Sequence, residues 1–153
     1  MAMIVVEVQA TIRRPVAVVS RQFGDMRHHA RNRVHPDIQF TVLSEDGDDC
    51  RFRQEVRLVG ILQSDEVVQH RNADGSLSSK VVAGANEGMR IDQAFASVGA
   101  DATLVTFRAE APATGIKRLL KPLFEMAIRK AVKKGLEEDR ADLEERGYGA
   151  ASA

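Results

Sequence analysis

Between residues 38 and 111 the chain is a near-unbroken succession of segments in which apolar and polar residues alternate, cut only by short turns. The pattern is clearest at 50–58. Cys50, Phe52, Gln54, Val56 and Leu58 fall in one phase, and Arg51, Arg53, Glu55 and Arg57 in the other. A period of two places each phase on its own face of a strand. Asp46-Gly47 and Asn72-Ala73-Asp74-Gly75 supply turn residues that tolerate or favour left-handed backbone. Strands are expected at 38–43, 50–58, 61–71, 77–83, 88–97 and 102–111, with an ambiguous phase around Asp65 and Glu66. Connections this short leave no room for crossover helices, so the strands must pair as an antiparallel meander.

The flanks read differently. Residues 3–12 alternate as a first strand, with Ile4, Val6, Val8 and Ala10 opposite Val5, Glu7, Gln9 and Thr11. Arg13-Arg14-Pro15 stops it, and Pro15 suits the first turn of a helix. Residues 15–34 carry Val16, Val19, Phe23 and Met26 at helical spacing, with a break near Gly24 and an end forced by Pro36. After Pro112 and Gly115 comes a helical lead-in at 116–121. A long helix then runs from Pro122 to about Arg146, roughly 36 Å at 1.5 Å per residue. The expected class is α+β: about seven strands and a long C-terminal helix, in the order strand, two short helices, six strands, helix. Residues 1–147 are expected to form one domain and 148–153 a mobile tail.

The first half of the last helix has a wide apolar face. Ile116, Leu119, Leu120, Leu123, Phe124, Met126, Ala127, Ile128 and Ala131 cover more than half its circumference, where a surface helix shows a stripe of about 100°. The sheet is therefore expected to curl around it, with Phe52, Val56, Ile91, Phe95, Val105 and Phe107 inward. Small inward residues (Val8, Ala10, Val81, Ala83, Ala127, Ala131) are expected to leave volume unfilled between sheet and helix.

Composition narrows the function classes. Among 153 residues, Lys+Arg and Asp+Glu are both 22, so the formal charge is zero. A nucleic-acid reader needs a basic excess, so no nucleic-acid partner is expected. No apolar run reaches the roughly 18 residues of a membrane span. Glu7 and Gln9 interrupt the first apolar run, which therefore does not read as a signal peptide. Cys50 is the single cysteine, so a reducing, cytoplasmic setting and an inert buried thiol are expected. There is no phosphate-cradling glycine loop, nucleophile elbow or CxxC, and no cofactor is expected.

Polar residues in inward phase are the candidates for chemistry. Gln54 and Gln93 share phase with apolar neighbours, and a buried amide needs a partner, either a ligand or each other. Residues 25–37 hold three of the four histidines, His28, His29 and His35, and form a candidate polar lid. Asp25, His29 and His35 could be brought together, but their spacing matches no zinc pattern, and no metal site is expected. Asp46, Asp48 and Asp49 lack calcium-loop spacing and read as turn residues. Residues 13–37 carry six arginines and two aspartates. In the last helix, residues 116–134 carry seven basic residues and one acid, and residues 135–146 two basic residues and six acids. That order opposes the helix dipole, so the dipole does not explain it. The basic half, through Lys130 and Lys133, could meet an anionic membrane surface.

The order of elements resembles the START-like helix-grip superfamily, which includes polyketide cyclase/dehydrase, lipid-transport and birch-pollen-allergen-like proteins. The segments that carry the resemblance are IVVEVQATIRRPVAVV, HPDIQFTVL and IKRLLKPLFEMAIRKAVKKGLEEDRADLEE, spread over residues 3–146. A tryptophan often found near the second helix of such proteins is absent. The resemblance implies a pocket between sheet and helix that takes a small hydrophobic molecule, such as a lipid or polyketide-like compound. Phe52, Gln54, Val56, Ile91, Gln93 and Phe95 would line one wall, and Leu120, Phe124, Ala127, Ile128 and Ala131 the other. Met26, His29 and His35 would stand at the mouth. The alternative is a cyclase- or dehydratase-type enzyme in the same pocket, with His29, His35 or His70 moving protons.

Overall fold

Alternation in the sequence becomes a single seven-stranded antiparallel sheet. The computed structural model describes residues 2–58 and 61–149, without the side chains of Leu58 and Ile61. The elements are β1 (Met3–Ile12), α1 (Val16–Gly24), α2 (Met26–Asn32), β2 (Ile38–Asp46), β3 (Asp49–Leu58), β4 (Ile61–Arg71), β5 (Leu77–Gly84), β6 (Arg90–Gly99), β7 (Ala102–Pro112), α3 (Ile116–Leu119) and α4 (Lys121–Glu144). The strand order is β1-β7-β6-β5-β4-β3-β2. β2 to β7 thus run as the expected meander, and β1 closes on β7. The ambiguous phase at Asp65 and Glu66 is a register shift between Glu66 and Val67. It belongs to a tight turn: a Cβ on Gly84 would lie 2.1 Å from the Ser64 carbonyl, and buried Asp65 accepts from the Asn86 backbone N–H (2.8 Å) and side-chain amide (2.7 Å).

Strand register gathers one phase of every strand on the concave face. Phe95 pairs with Val105, Gln93 with Phe107, Phe52 with Val67, and Phe40 with Gln54. The inward set expected from the sequence (Phe52, Val56, Ile91, Phe95, Val105, Phe107) shares this face.

The two short helices owe their break to Asp25. Its carboxylate accepts from the His28 backbone N–H at 3.0 Å, which caps α2. Arg33 ends α2 in the left-handed conformation (φ 50°). That sharp turn sends Val34 and His35 back into the protein, where both are buried.

α4 lies along β1 and reaches α1. Its second half is the well-covered part, with Leu136, Asp139, Asp142 and Leu143 all buried. The core around it contains Ile4, Val6, Val8, Ile12, Val19, Phe23, Leu77 and Val105, with Phe124 and Ile128 packed at its margin. A second cluster, Met26, Cys50, Phe52, Val67 and Val81, sits at the other end of the sheet. α3 and the first half of α4 are not wrapped as expected. Ile116 (65% exposed), Leu119 (78%), Leu123 (60%) and Met126 (66%) project to solvent. Periodicity reports which faces of a helix are apolar; it does not report what covers them. No helix among the described residues is long and apolar enough to cross a membrane. Tyr148, expected in a mobile tail, packs against the first core and donates to Asp25 Oδ2 at 2.7 Å. Residues 150–153 of that tail lie outside the described residues.

Candidate functional site

The concave face is only partly covered: α4 lies along β1 and leaves the part towards β3 as an open groove. Gln54, Val56, Ile91 and Gln93 are half-buried on this face, and Phe95 is half-buried against Phe23 of the first core at 5.2 Å. Among the described residues, neither the Gln54 nor the Gln93 carboxamide has a hydrogen-bond partner. They do not satisfy each other, which disposes of the simplest structural role open to them. Phe124 and Ile128 of α4 stand at the closed side. Ala127 and Ala131 are exposed. They lie on the flank of α4 that also carries Lys134 and Glu138, whose partners are Asp37 and His35 in the α2–β2 connection. That flank looks across the concave face towards β2 and β3. Leu120, at the start of α4, is exposed. The groove is thus open, not an enclosed chamber. An open cavity of about 580 Å³ lies at the β2 edge of the sheet, lined by Arg33, Pro36, Ile38, Phe40, Glu55 and Arg57 among others. None of the residues expected to hold a ligand lines it; Glu55 and Arg57 are only next to Gln54 and Val56 along β3. A smaller one of about 270 Å³ lies by Cys50, Asp25 and Arg71. Burial pushes the Cys50 thiol up to about 11, in keeping with an inert cysteine.

At the β2–β3 end the groove meets a buried polar cluster. His29 Nε2 lies 2.9 Å from Asp139 Oδ1, and His35 Nε2 lies 3.5 Å from Asp139 Oδ2. The two rings stack at 5.3 Å, and each meets the Phe40 ring edge-on at about 6 Å. Phe40 in turn packs on Phe52 at 5.8 Å. His29 Nδ1 is 2.8 Å from the Asp25 carbonyl, and His35 Nδ1 is 2.9 Å from Glu138 Oε1. Gln22 donates to both Asp139 and Asp142 at 3.0 Å. Burial would lower the His35 pKa, but hydrogen bonds and charge from Asp139 and Glu138 outweigh it and raise it from 6.5 to about 9. Burial would raise the Asp139 carboxyl, yet the contacts with His29 and His35 hold it well below the usual carboxylate range.

Met26, His29 and His35 are therefore brought together with Phe52, while His70 is not. It sits exposed on Asp49 at 2.6 Å. The Asp25 side chain caps α2 and takes no part in a histidine cluster; its backbone carbonyl meets His29 because residues four apart in a helix are stacked. Asp139, Asp142 and Glu138 escaped the sequence reading. Their signal was the run of acids in residues 135–146, which lies against the arginine- and histidine-rich segment 13–37.

This order of elements, sheet topology and groove define a START-like helix-grip protein. The chain belongs to the polyketide cyclase/dehydrase and lipid-transport family, whose model matches residues 3–146. It is similar in fold to a protein of Thermus thermophilus (15% identity, TM-score 0.82, covering 94% of this chain and 99% of that one). It is equally similar to the Zhui aromatase/cyclase of a Streptomyces species (15%, 0.82, 99% and 100%). A START superfamily protein of Mycobacterium smegmatis also matches (16%, 0.69, 93% and 95%). No curated protein sequence matches it.

Proposed function

We propose that the protein binds, as carrier or sensor, a small and mostly apolar molecule in the concave groove. The single observation that carries this reading is that Gln54 and Gln93, both half-buried on the concave face, have no side-chain hydrogen-bond partner among the described residues. The ligand's apolar body would lie on Val56 and Ile91, between buried Phe52 and the Phe23–Phe95 contact, with Phe124, Ile128, Ala127 and Ala131 above it. A carbonyl or hydroxyl of the ligand would meet one or other of the glutamines, which the register sets three strands apart. Apolar burial at about 25 cal/mol per Å² drives such binding, and an oriented amide adds specificity. Lipid-like and polyketide-like molecules fit this chemistry.

The test uses the fluorescent apolar probe anilinonaphthalene sulfonate. Saturable one-to-one binding is expected, weakened at least tenfold by Ala131→Phe, which projects a ring into the groove. Binding that is non-saturable, or indifferent to that substitution, would overturn the reading.

A cyclase-type reaction in the same groove is the second reading, and the acid–base cluster bordering Phe40 and Phe52 favours it. Binding is preferred because each ring of His29 and His35 has a protein acceptor at both nitrogens. Neither presents a free base to a substrate.

The exposed side of α4 supports a surface through which an apolar ligand could arrive. Leu123, Met126, Lys130 and Lys133 recur at three- and four-residue spacing and are all exposed. An apolar stripe running into a basic one suits the interface of an anionic membrane.

A further inference from the structure

The cluster of His29, His35 and Asp139 has an arrangement that groove binding does not require. Its three side chains come from α2, the α2–β2 connection and α4, and all three are buried. One ligand atom from each lies within 4.8 Å of the others. Bonds of about 2.0–2.2 Å to a tetrahedral ion would place neighbouring ligand atoms roughly 3.3–3.6 Å apart, so the 2.9 Å contact of His29 with Asp139 would open slightly and wider separations would close by about an ångström.

Hydrogen bonding singles these two rings out. Each Nδ1 faces an oxygen acceptor, the Asp25 carbonyl for His29 and the Glu138 carboxylate for His35. Each Nε2 faces a second acceptor, Asp139. A neutral imidazole has one N–H and satisfies one such contact. The neighbouring His28 shows the ordinary case: Asn32 donates to its Nδ1 at 2.9 Å, and its Nε2 donates to Asp142 at 2.7 Å. For His29 and His35, the space between the two Nε2 atoms and the carboxylate calls for positive charge. Metal-bound histidines characteristically donate the other ring N–H to a carbonyl or carboxylate, which fixes the ring and aims its lone pair at the ion. Both rings have that outer contact already. Gln22 orients the Asp139 carboxylate from a third side, and its Oε1 is the only buried side-chain polar atom without a partner among the described residues.

We propose that His29 Nε2, His35 Nε2 and the Asp139 carboxylate form a binding site for a divalent first-row transition-metal ion. Two imidazoles with one carboxylate suit zinc, iron(II) or cobalt(II); calcium and magnesium prefer all-oxygen shells. Three protein ligands leave at least one coordination position open, and Phe40, edge-on to both rings, is the wall they share at the end of the groove. The site holds independently of whether the groove takes an apolar molecule.

The untagged full chain, dialysed against EDTA and then freed of chelator, is titrated with Zn²⁺ by calorimetry and with Co²⁺ by visible absorption. One-to-one binding is expected, with a tetrahedral or five-coordinate Co²⁺ spectrum. His35→Gln and Asp139→Asn should each weaken it at least tenfold, and Glu138→Gln about 10–100-fold as an outer contact. His70→Gln should leave it unchanged. If a cluster variant fails to fold, imidazole ¹⁵N spectra of the wild-type protein decide: Zn²⁺ should shift the Nε2 signals of His29 and His35 and not those of His70. Absence of one-to-one binding, binding retained in folded His35→Gln or Asp139→Asn, or shifts confined to His70 would overturn the proposal.

Discussion

Asp139 keeps its charge inside the protein because three nitrogens converge on its carboxylate, from Gln22, His29 and His35. Taking a lone carboxylate out of water costs several kcal/mol, so the pairing decides whether α4 can dock there at all. The stability of the metal-free protein should therefore depend on pH from both sides. The folded His35 pKa is raised from 6.5 to about 9, so its contribution is full below 6.5 and is lost as pH rises through 9. The Asp139 pKa is lowered, so its contribution is full above the ordinary carboxylate range and is lost as pH falls below it. In EDTA, urea unfolding should give a maximum between about pH 5 and 6.5, and a loss on the order of 1–3 kcal/mol by pH 9.5. A flat profile across that range would show that His35 is not held charged. Little of this was legible residue by residue. The histidines stood out in the sequence, but their partners lie more than 100 residues away, and nothing in local spacing names Asp139 among the six acids of residues 135–146.

At the scale of elements, strands were legible and coverage was not. A two-residue period directly encodes which face a side chain takes, so the concave set was readable before the structure. The bulge at Glu66 and Val67 was visible only as a lost phase, because a bulge is defined by the partner strand. α4 shows the same division. Its charge order opposes its own dipole, at a cost of a few tenths of a kcal/mol per charge. Contacts across the fold offset that cost: His28 on Asp142, His35 on Glu138, and Arg13 on Glu144, whose carboxylate also accepts the Arg13 backbone N–H at 2.9 Å. The acids belong at the C-terminal half because the basic segment packs there, and the bases are left on the half that faces outward. That outward half should bind vesicles containing phosphatidylserine, and raised salt should weaken the binding as charges are screened. Reversing two exposed charges, Lys130→Glu with Lys133→Glu, should weaken co-sedimentation at least tenfold without lowering the melting temperature. Binding that survives the reversal would place the contact elsewhere.

For the molecule as a whole, the sheet carries one closed end and one open end. The closed end is the core under the second half of α4, where Leu77, Ile4 and Leu143 are all but inaccessible. Leu77→Ala there should cost about 2–5 kcal/mol, since a cavity in a packed interior cannot collapse fully. The open end is the partly covered face beside Ala131, which is itself exposed. Ala131→Phe should change the unfolding free energy by less than about 1 kcal/mol, because overpacking penalties arise only in filled cores. Its cost should fall on ligand binding instead. The pair of substitutions separates two descriptions of this fold. If the concave face is an ordinary core, both changes destabilise and neither affects probe binding selectively. If it is a receptor, Leu77→Ala lowers stability and largely spares affinity for the probe, while Ala131→Phe does the reverse. Chemical denaturation and probe titration on the same two variants distinguish these outcomes.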